Sequence, residues 1–309
     1  MVSLEHVSKR YGKTIALSDV SFDIAPGETA GLLGRNGAGK TTALNLITGY
    51  FPPDSGTVRI GGRDMLTDSR ECKRRIGYLP ERPPLYDEMS VKDYLTFVSE
   101  LREVAPRARK AHIAEILALC DLAEAENRII GHLSRGYRQR VGIAQALCGN
   151  PDVLIFDEPT VGLDPVQVVE IRSLIRRLSA DHTVLFSSHI LSEVQQLCSK
   201  ALILHEGKLI RAFDLKGQEE LLRLDVIAVG REGEILPALR SLNCVRKIEK
   251  LPAAEEGTVH LRISCRPSDD RGRAADQLFH LFAALDAPLR QMMPEKNDLE
   301  ATFLQAIQE

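Results

Sequence analysis

The hydrophobic positions of the chain follow two different patterns. Short, unbroken apolar runs bounded by glycine and polar residues, such as Thr29–Leu33 and Val153–Phe156, are typical of buried parallel strands. Between about residues 83 and 149 the apolar positions recur at helical spacing instead. Together the two patterns predict a doubly wound α/β core, made of residues 1–80 and 150–213, with a helical subdomain inserted in it.

Two helices stand out in the insert. Residues 91–101 carry Val91, Tyr94 and Leu95 on one face, and residues 113–122 repeat the same spacing. We therefore expect the insert to pack as a small helical layer beside the core.

The chain changes character after residue 213. A charged stretch, residues 214–223, is predicted to be a connector, and residues 224–309 alternate between strand and helix patterns before a final helical stretch, LEATFLQAI. The predicted elements are strands 224–229, 245–251, 258–263 and 289–293 and helices 234–242 and 274–285. Their order, βαββαβ, is that of a small α+β ferredoxin-like domain. This region has no catalytic constellation, so we favour a structural or dimer-supporting appendage, with a regulatory ligand sensor as the alternative.

A glycine-rich loop follows the first apolar strand. The stretch GLLGRNGAGKTT fits the pattern G-x-x-x-x-G-K-[ST] at Gly34, Gly39, Lys40 and Thr41. Such a loop turns its backbone N–H groups inward, and the helix that begins at about Gly39 adds a positive dipole end. We expect Lys40 to reach the β- and γ-phosphates of a nucleotide and the Thr41 hydroxyl to bind Mg²⁺.

Polar residues follow two other apolar strands. Asp157 and Glu158 come directly after Val153–Phe156, and His189 ends the stretch TVLFSSH. In doubly wound sheets ligands bind at the carboxyl ends of the strands. Asp157 is therefore a candidate Mg²⁺ ligand, Glu158 a candidate base for an attacking water, and His189 a candidate contact for the γ-phosphate.

Composition narrows the possible functions. Of 309 residues, 40 are Lys or Arg and 43 are Asp or Glu, so the net charge of −3 argues against a general nucleic-acid binder. The 6 cysteines are scattered and form neither a CxxC pair nor a ligand set with histidine. Apolar runs such as Val153–Phe156 are far shorter than the roughly 20 residues of a membrane-spanning helix. Any role at a membrane is thus expected to require a partner.

Taken in order over residues 1–213, these motifs resemble the ATP-binding subunit of an ABC transporter. The resemblance implies a P-loop NTPase (RecA-like) core with ATP and Mg²⁺ as ligands. It places the nucleotide against Tyr11, which would stack on adenine, and against the loop residues Gly34, Arg35, Asn36, Gly37, Ala38, Gly39, Lys40, Thr41 and Thr42. Without the neighbouring motifs, a residue such as Tyr11 is more often a packing residue of an edge strand, and a residue such as Arg35 is usually a solvent-facing loop residue.

The same resemblance assigns the remaining motifs. Glu158 corresponds to the catalytic glutamate, His189 to the switch histidine and Asp164 to the D-loop aspartate. The Mg²⁺ ligands that it implies are Thr41, Glu81 and Asp157.

The stretch LSRGY occupies the position of the family's signature, LSGGQ. The resemblance implies that Ser134, Arg135, Gly136 and Tyr137 face the γ-phosphate bound by a second subunit, with Arg135 and Tyr137 replacing a Gly and a Gln. A second departure is Glu81, where family members often have Gln. Both departures resemble the multidrug- and gliding-motility-type branch that serves ABC-2-like export permeases.

The resemblance implies an ATPase subunit in which ATP-driven dimer closure powers a separate integral membrane permease, with export as the favoured direction. The expected partners are a second ATP-binding subunit, as a homodimer, and the permease, which would hold the chain at the cytoplasmic face of the membrane. One alternative is a soluble ABC ATPase acting on ribosomes or DNA, but the chain has one phosphate loop, one signature and no heptad run between Lys40 and Asp157. Another is a degenerate, non-hydrolysing cassette, which the presence of Lys40, Asp157, Glu158 and His189 disfavours.

Overall fold

The structure is a computed structural model that describes residues 1–215, 222–252, 257–265, 271–294 and 303. The chain divides into two compact units: Met1–Leu215 together with Phe303–Glu309, and Lys216–Thr302. The first boundary lies close to residue 213, after which the sequence pattern changes.

The first unit contains ten strands among its described residues. They are β1 (Val2–Tyr11), β2 (Thr14–Ile24), β3 (Thr29–Leu33), β4 (Ser55–Ile60), β5 (Arg63–Asp64), β6 (Ile76–Leu79), β7 (Val153–Phe156), β8 (Thr183–Ser188), β9 (Lys200–His205) and β10 (Lys208–Asp214). Its helices are α1 (Lys40–Ile47), α2 (Ser69–Arg74), α3 (Val91–Leu101), α4 (Pro106–Leu119), α5 (Arg135–Leu147), α6 (Pro165–Leu178) and α7 (Leu191–Leu197).

Six of these strands form the central sheet, in the order β10-β9-β3-β8-β7-β6. The strands β9, β3, β8, β7 and β6 are parallel, and β10 pairs antiparallel with β9 at the edge. Every residue of β3, β7 and β8 is buried, which explains why these strands have unbroken apolar runs rather than alternation. The register aligns their carboxyl ends, since Leu33 is level with Ser188 and Phe156 with both Phe186 and Leu79.

The first strands do not join this sheet, which corrects the prediction of one doubly wound core from residues 1–80 and 150–213. Instead β2, β1, β4 and β5 form a separate antiparallel sheet in that order. Their alternation of buried and exposed residues, as in β2, fits a sheet with one face in the core. One hydrophobic cluster joins the two sheets through α1, with Leu4 and Ile60 from the first, Leu46 from the helix and Ile155 from the second.

The insert is helical, as its spacing predicts. The helix α3 has the predicted bounds, whereas α4 begins seven residues before the predicted 113–122 and ends at Leu119. Its first residue is Pro106, a residue that suits the first helical position because its fixed φ is already helical and its missing N–H would have no partner there. Two 3₁₀ turns, Ala123–Ala125 and Ile130–His132, lead into α5.

The second unit has the predicted βαββαβ order. Its elements are β11 (Leu222–Val229), α8 (Glu232–Ser241), β12 (Val245–Leu251), β13 (Thr258–Cys265), α9 (Arg271–Ala284) and β14 (Leu289–Pro294). The sheet order is β12-β13-β11-β14, and every pair is antiparallel, which is the ferredoxin-like arrangement. Its own core includes Val226, Leu261 and Phe282.

Some predictions fall outside the described residues. Most of the connector 214–223 and, apart from Phe303, the final helix LEATFLQAI belong to this group. Within the described ranges, no helix is long and apolar enough to cross a lipid bilayer.

Candidate nucleotide-binding and hydrolysis site

The phosphate loop (residues 34–41) connects the carboxyl end of β3 to α1. Gly37 and Gly39 have φ of 84° and 104°, conformations that are strained for other residues. A Cβ at Gly34 would lie 2.4 Å from the carbonyl oxygen of Leu204, so the loop passes too close to the neighbouring strand for a side chain. The helix α1 begins at Lys40 with no side-chain cap at Gly39, so its first N–H groups remain available to an anion.

Lys40 is buried inside this loop. Its ammonium group donates to the carbonyl oxygens of Gly34, at 2.7 Å, and Arg35, at 3.2 Å. It also forms an ion pair with the Glu158 carboxylate, with 3.1 Å between Nζ and Oε1. The loop therefore presents a cation at the position where the sequence predicts phosphate contact.

Glu158 joins the ends of three strands. Its second carboxylate oxygen lies 2.9 Å from Nδ1 of His189, and its backbone N–H donates to Oγ of Ser187 at 2.9 Å. The residue has a φ of 47°, a left-handed conformation that costs about 1–2 kcal/mol for a residue with a side chain. The contacts with Lys40 and Ser187 hold it there, with its carboxylate between the phosphate loop and His189.

Asp157 is fully buried beside this group. Ser187 Oγ donates to its carboxylate at 2.6 Å, and the Thr41 side chain also hydrogen-bonds to it. Burial raises the pKa of Asp157, and the negative charges of Glu158 and Glu81 raise it further, although the hydrogen bonds from Ser187 and Thr41 oppose the shift. The negative charge of Asp157 is thus only partly balanced by its neighbours, and a nearby cation would stabilise it.

The predicted Mg²⁺ ligands Thr41, Asp157 and Glu81 supply the oxygen donors that this ion prefers. Asp157 contacts Thr41 directly, and Glu81, on the exposed loop after β6, lies near enough for its charge to act on Asp157. Among the residues that the structure describes, no three His, Cys, Asp or Glu side chains cluster as a self-contained metal site. A hydroxyl and two carboxylates fit Mg²⁺, which usually takes its remaining oxygens from phosphate and water.

Tyr11 lies at the end of β1 and is 44% exposed. Its ring meets that of Phe51 edge-on, with 6.0 Å between centroids, and Lys9 Nζ lies 5.9 Å from its centroid. Phe51, which the sequence analysis did not single out, thus packs against one edge of this ring.

The signature turn (residues 134–137) begins α5. Ser134 is the N-cap, and its hydroxyl accepts a hydrogen bond from the Tyr137 N–H at 3.4 Å. Ser134 and Arg135 are exposed, whereas Gly136 is buried against Gln167. The structure brings Lys40, Asp157, Glu158 and His189 together within one chain, while the signature turn makes its contacts with the segment that follows Glu158.

This connecting segment (residues 159–164) ends in Asp164, whose carboxylate caps α6 by accepting from the Gln167 N–H at 2.9 Å. On its other side lies Glu193, a buried residue of α7 that the sequence analysis missed. Its carboxylate accepts hydrogen bonds from Thr160 at 2.8 Å and Ser188 at 2.7 Å, and it pairs with Arg172 at 3.1 Å. Because Ser188 precedes His189, this buried group ties the histidine to the connecting segment.

Comparison with known proteins identifies the family. The family model described as ABC transporter matches residues 17–161. The bacitracin transport ATP-binding protein BcrA of Bacillus licheniformis is 36% identical over 212 residues, which is 68% of each chain. The Nod factor export ATP-binding protein I of Burkholderia orbicola is 34% identical over 213 residues, 68% of this chain and 69% of that one. A dimeric structure of the ATP-binding cassette MJ0796 in a post-hydrolysis state, bound to ADP and Pi, superposes with a TM-score of 0.64 at 27% identity, covering 70% of this chain and 100% of that one.

Proposed function

The chain belongs to the ABC transporter ATP-binding family, and on that premise we propose that two copies of it close on ATP to drive a separate membrane permease. As a member of the family it is an ATPase that uses ATP and Mg²⁺. The proposal adds that each hydrolysis site is shared between two subunits. One subunit supplies the phosphate loop, Asp157, Glu158 and His189, and the other supplies the signature turn and Asp164.

The exposure of the signature turn carries this proposal. Glu158 contacts both Lys40 and His189 within a single chain, whereas Ser134, at the N-terminus of α5, is exposed. An exposed helix N-terminus with a hydroxyl N-cap is suited to bind an anion. A second copy would bring that anion as the γ-phosphate of its own ATP.

Within a closed site the residues have distinct proposed roles. Entry of the phosphates draws the Lys40 ammonium away from Glu158, because Lys40 then pairs with the β- and γ-phosphates. The released Glu158 carboxylate accepts a proton from the attacking water, and His189 holds it in position. Thr41, Asp157 and Glu81 would hold Mg²⁺, which neutralises charge on the phosphate oxygens. The Tyr11 ring would bind adenine, and residues 35–39 would donate backbone N–H groups to the phosphates.

The first part of the helical insert offers a surface for the permease. Tyr86 is 50% exposed, and its ring packs against those of Tyr94 and Phe97 at centroid distances of 5.9 and 5.6 Å. This aromatic surface follows the loop that contains Glu81, so a permease bound there would be close to a proposed Mg²⁺ ligand. We propose that the permease docks here, which would place the chain at the cytoplasmic face of the membrane.

The direction of transport that we propose is export. The relative from Burkholderia is named for Nod factor export and that from Bacillus licheniformis for bacitracin transport. The second unit, Lys216–Thr302, makes up most of the C-terminal region predicted over residues 224–309, and we propose that it is an accessory domain that supports the dimer rather than part of the hydrolysis site.

Co-purification tests the permease partnership. Tagged chain would be isolated in mild detergent from membranes of its source, as wild type, as Tyr86→Ala and as the control Leu66→Ala, which removes another exposed apolar side chain. We expect an integral membrane protein in stoichiometric amount with wild type and Leu66→Ala and its loss with Tyr86→Ala. Recovery of ribosomes or DNA repair proteins instead would support the soluble alternative, and equal recovery with all three variants would remove the proposed docking surface.

A further inference from the structure

Arg135, one of the two residues by which the signature turn departs from the family pattern, contacts the connecting segment of its own chain. Its Nη2 donates to the carbonyl oxygen of Val161 at 2.9 Å. A Cβ built on Gly162 would lie 2.3 Å from the Arg135 Cζ, so the guanidinium group rests directly on the glycine backbone. A Gly at position 135, as in the pattern LSGGQ, could make neither contact.

Gly162 is suited to this contact in two ways. Its φ of 71° lies in the left-handed region, where a side chain is strained. It also has no side-chain atom between its backbone and the guanidinium group. The planar, permanently charged guanidinium is in turn the group best able to lie on a backbone turn while donating to a carbonyl oxygen.

Two other contacts of α5 extend this attachment. Gln139 donates from Nε2 to the carbonyl oxygen of Pro159 at 2.8 Å in a buried position. Gly136 packs so closely on Gln167 that a Cβ would lie 2.7 Å from its Cδ. The first two turns of α5 therefore follow the chain from Pro159 to Gln167, and Arg135 holds the exposed middle of it.

We propose that Arg135 is a positioning residue for ATP hydrolysis. Its guanidinium holds the turn at Val161 and Gly162 against the signature turn, so that Ser134 and Asp164 reach the partner subunit's nucleotide as one rigid unit. Because Glu158 and Asp164 lie on either side of Val161 and Gly162 in the chain, the position of the Val161–Gly162 turn also affects Glu158, the catalytic glutamate of the same chain. The inference rests on the proposed sharing of each site between two subunits.

The competing role for Arg135 is direct binding of the nucleotide phosphates. The two roles differ in the kinetic constant that they affect. A phosphate ligand contributes to ATP binding, so its loss raises KM, whereas a positioning residue lowers kcat through Val161 and Gly162.

The experiment measures ATPase kinetics of the full chain as wild type, Arg135→Ala, Arg135→Lys and the control Arg138→Ala. Arg138 lies on the same helix but pairs with Asp87 at 2.7 Å. We expect Arg135→Ala to lower kcat about tenfold, the scale of one charge-assisted hydrogen bond, with KM unchanged. Arg135→Lys retains a charged donor and should recover part of kcat, and Arg138→Ala should stay within about twofold of wild type.

A double-mutant cycle with Gly162→Ala makes the test specific. In the presence of Arg135 the added methyl group both strains the turn and displaces the guanidinium; in Arg135→Ala only the strain remains. We therefore expect Gly162→Ala to lower kcat less in the Arg135→Ala background than in wild type. Equal effects in both backgrounds, a rise in KM alone, or an equal loss in Arg138→Ala would each overturn the proposal.

Two controls keep the outcomes distinct. Binding of ATP to isolated Glu158→Gln chains carrying Arg135→Ala should match that of Glu158→Gln alone, since the phosphate loop is not altered; a loss would mean that the fold is damaged, and Arg135→Lys then carries the test. Subunit mixing with Lys40→Ala and Ser134→Arg chains leaves Arg135 intact. If mixing these chains does not restore activity, the proposed sharing of each site between two subunits is wrong. If mixing restores activity but Gly162→Ala lowers kcat equally with and without Arg135, only the proposed role of Arg135 is wrong.

Discussion

The buried ammonium of Lys40 has an anionic partner in the structure, Glu158, and a proposed second one in the phosphates of ATP. It forms an ion pair with the Glu158 carboxylate at 3.1 Å and donates hydrogen bonds to two loop carbonyl oxygens. A buried ion pair of this kind is costly to break unless a new charge replaces the lost one. In the proposed mechanism the phosphates of ATP supply that charge, so that nucleotide binding would release the Glu158 carboxylate.

Replacing Glu158 by Gln therefore separates binding from hydrolysis. The variant Glu158→Gln should lose turnover by at least about 100-fold, the usual scale for removal of a general base. Its ATP affinity should be equal to or higher than that of wild type, because Lys40 no longer has an anionic partner to leave. Equilibrium binding and steady-state hydrolysis measure the two effects, with Lys40→Ala as the control that loses binding; an unchanged kcat would remove Glu158 from the mechanism.

Asp157 gives a prediction about stability. Burial raises the pKa of its carboxyl group, so the folded state holds this proton more tightly than the unfolded chain and loses stability as pH rises towards the raised value. The variant Asp157→Asn should then raise the melting temperature of the nucleotide-free protein by a few degrees at neutral pH and lose Mg²⁺-dependent hydrolysis.

The stability that Asp157→Asn gains over wild type should shrink as the pH falls below the ordinary pKa range of aspartate. The Asp157 carboxyl group of wild type is then protonated in both the folded and the unfolded state. The exposed Asp152 provides the control, since Asp152→Asn removes a charge without relieving burial. A lower melting temperature of Asp157→Asn at neutral pH would contradict this account of the buried carboxylate.

At the residue scale, the sequence predicted the groups whose chemistry depends on local spacing. Lys40 and Thr41 follow from the loop pattern, and Asp157 and His189 follow from their places after apolar strands. Phe51, Ser187 and Glu193 were not predicted, because their roles depend on contacts between distant parts of the chain. The sequence does place a charged residue, Glu193, in a short stretch shortly after His189, but this pattern alone does not predict that Glu193 is buried.

At the scale of elements, the loop after β6 connects the central sheet to the helical insert. Glu81 lies on this loop, exposed but close enough to affect Asp157, and Tyr86 follows it. A shift of the insert would therefore move a proposed Mg²⁺ ligand.

The variant Glu81→Ala should raise the Mg²⁺ concentration for half-maximal hydrolysis by about tenfold, the scale on which a supporting ligand group affects metal affinity. Glu81→Gln is the matched control, since it keeps a side-chain oxygen at the same distance and should stay near wild type. A Mg²⁺ titration of the ATPase measures both, and an unshifted Glu81→Ala curve would show that Glu81 is not a ligand.

The ends of a strand or helix could be predicted where the hydrophobic pattern fits only one type of element. The strands β3 and β7 and the helix α3 have their predicted bounds because each is a single apolar run or face. The start of α4 was missed because its first residues are charged and depend on Pro106 rather than on apolar spacing. The separate antiparallel sheet was missed because hydrophobic pattern identifies strands but not their partners.

At the scale of the whole molecule, every proposed nucleotide contact lies in the first unit. A chain ending at Leu215 should therefore fold and bind ATP with the affinity of the full chain. It loses Phe303, a buried residue that belongs to the first unit, so the free energy of unfolding should fall by about 3 kcal/mol, the scale for removing a buried Phe side chain. Phe303→Ala in the full chain is the matched variant. Loss of ATP binding in the shortened chain, with its helical signal intact, would contradict the proposed division.

The most direct test of the shared site is complementation between two inactive variants. Lys40→Ala lacks the phosphate-loop cation and Ser134→Arg blocks the signature turn, so each homodimer has two defective sites. In a mixed dimer one site combines the intact Lys40 of one chain with the intact Ser134 of the other. We predict that mixing restores ATPase activity, and that mixed dimers also carrying Glu158→Gln retain ATP. If mixed dimers form but neither hydrolysis nor ATP retention returns, the signature turn does not act across the interface and the central claim is contradicted.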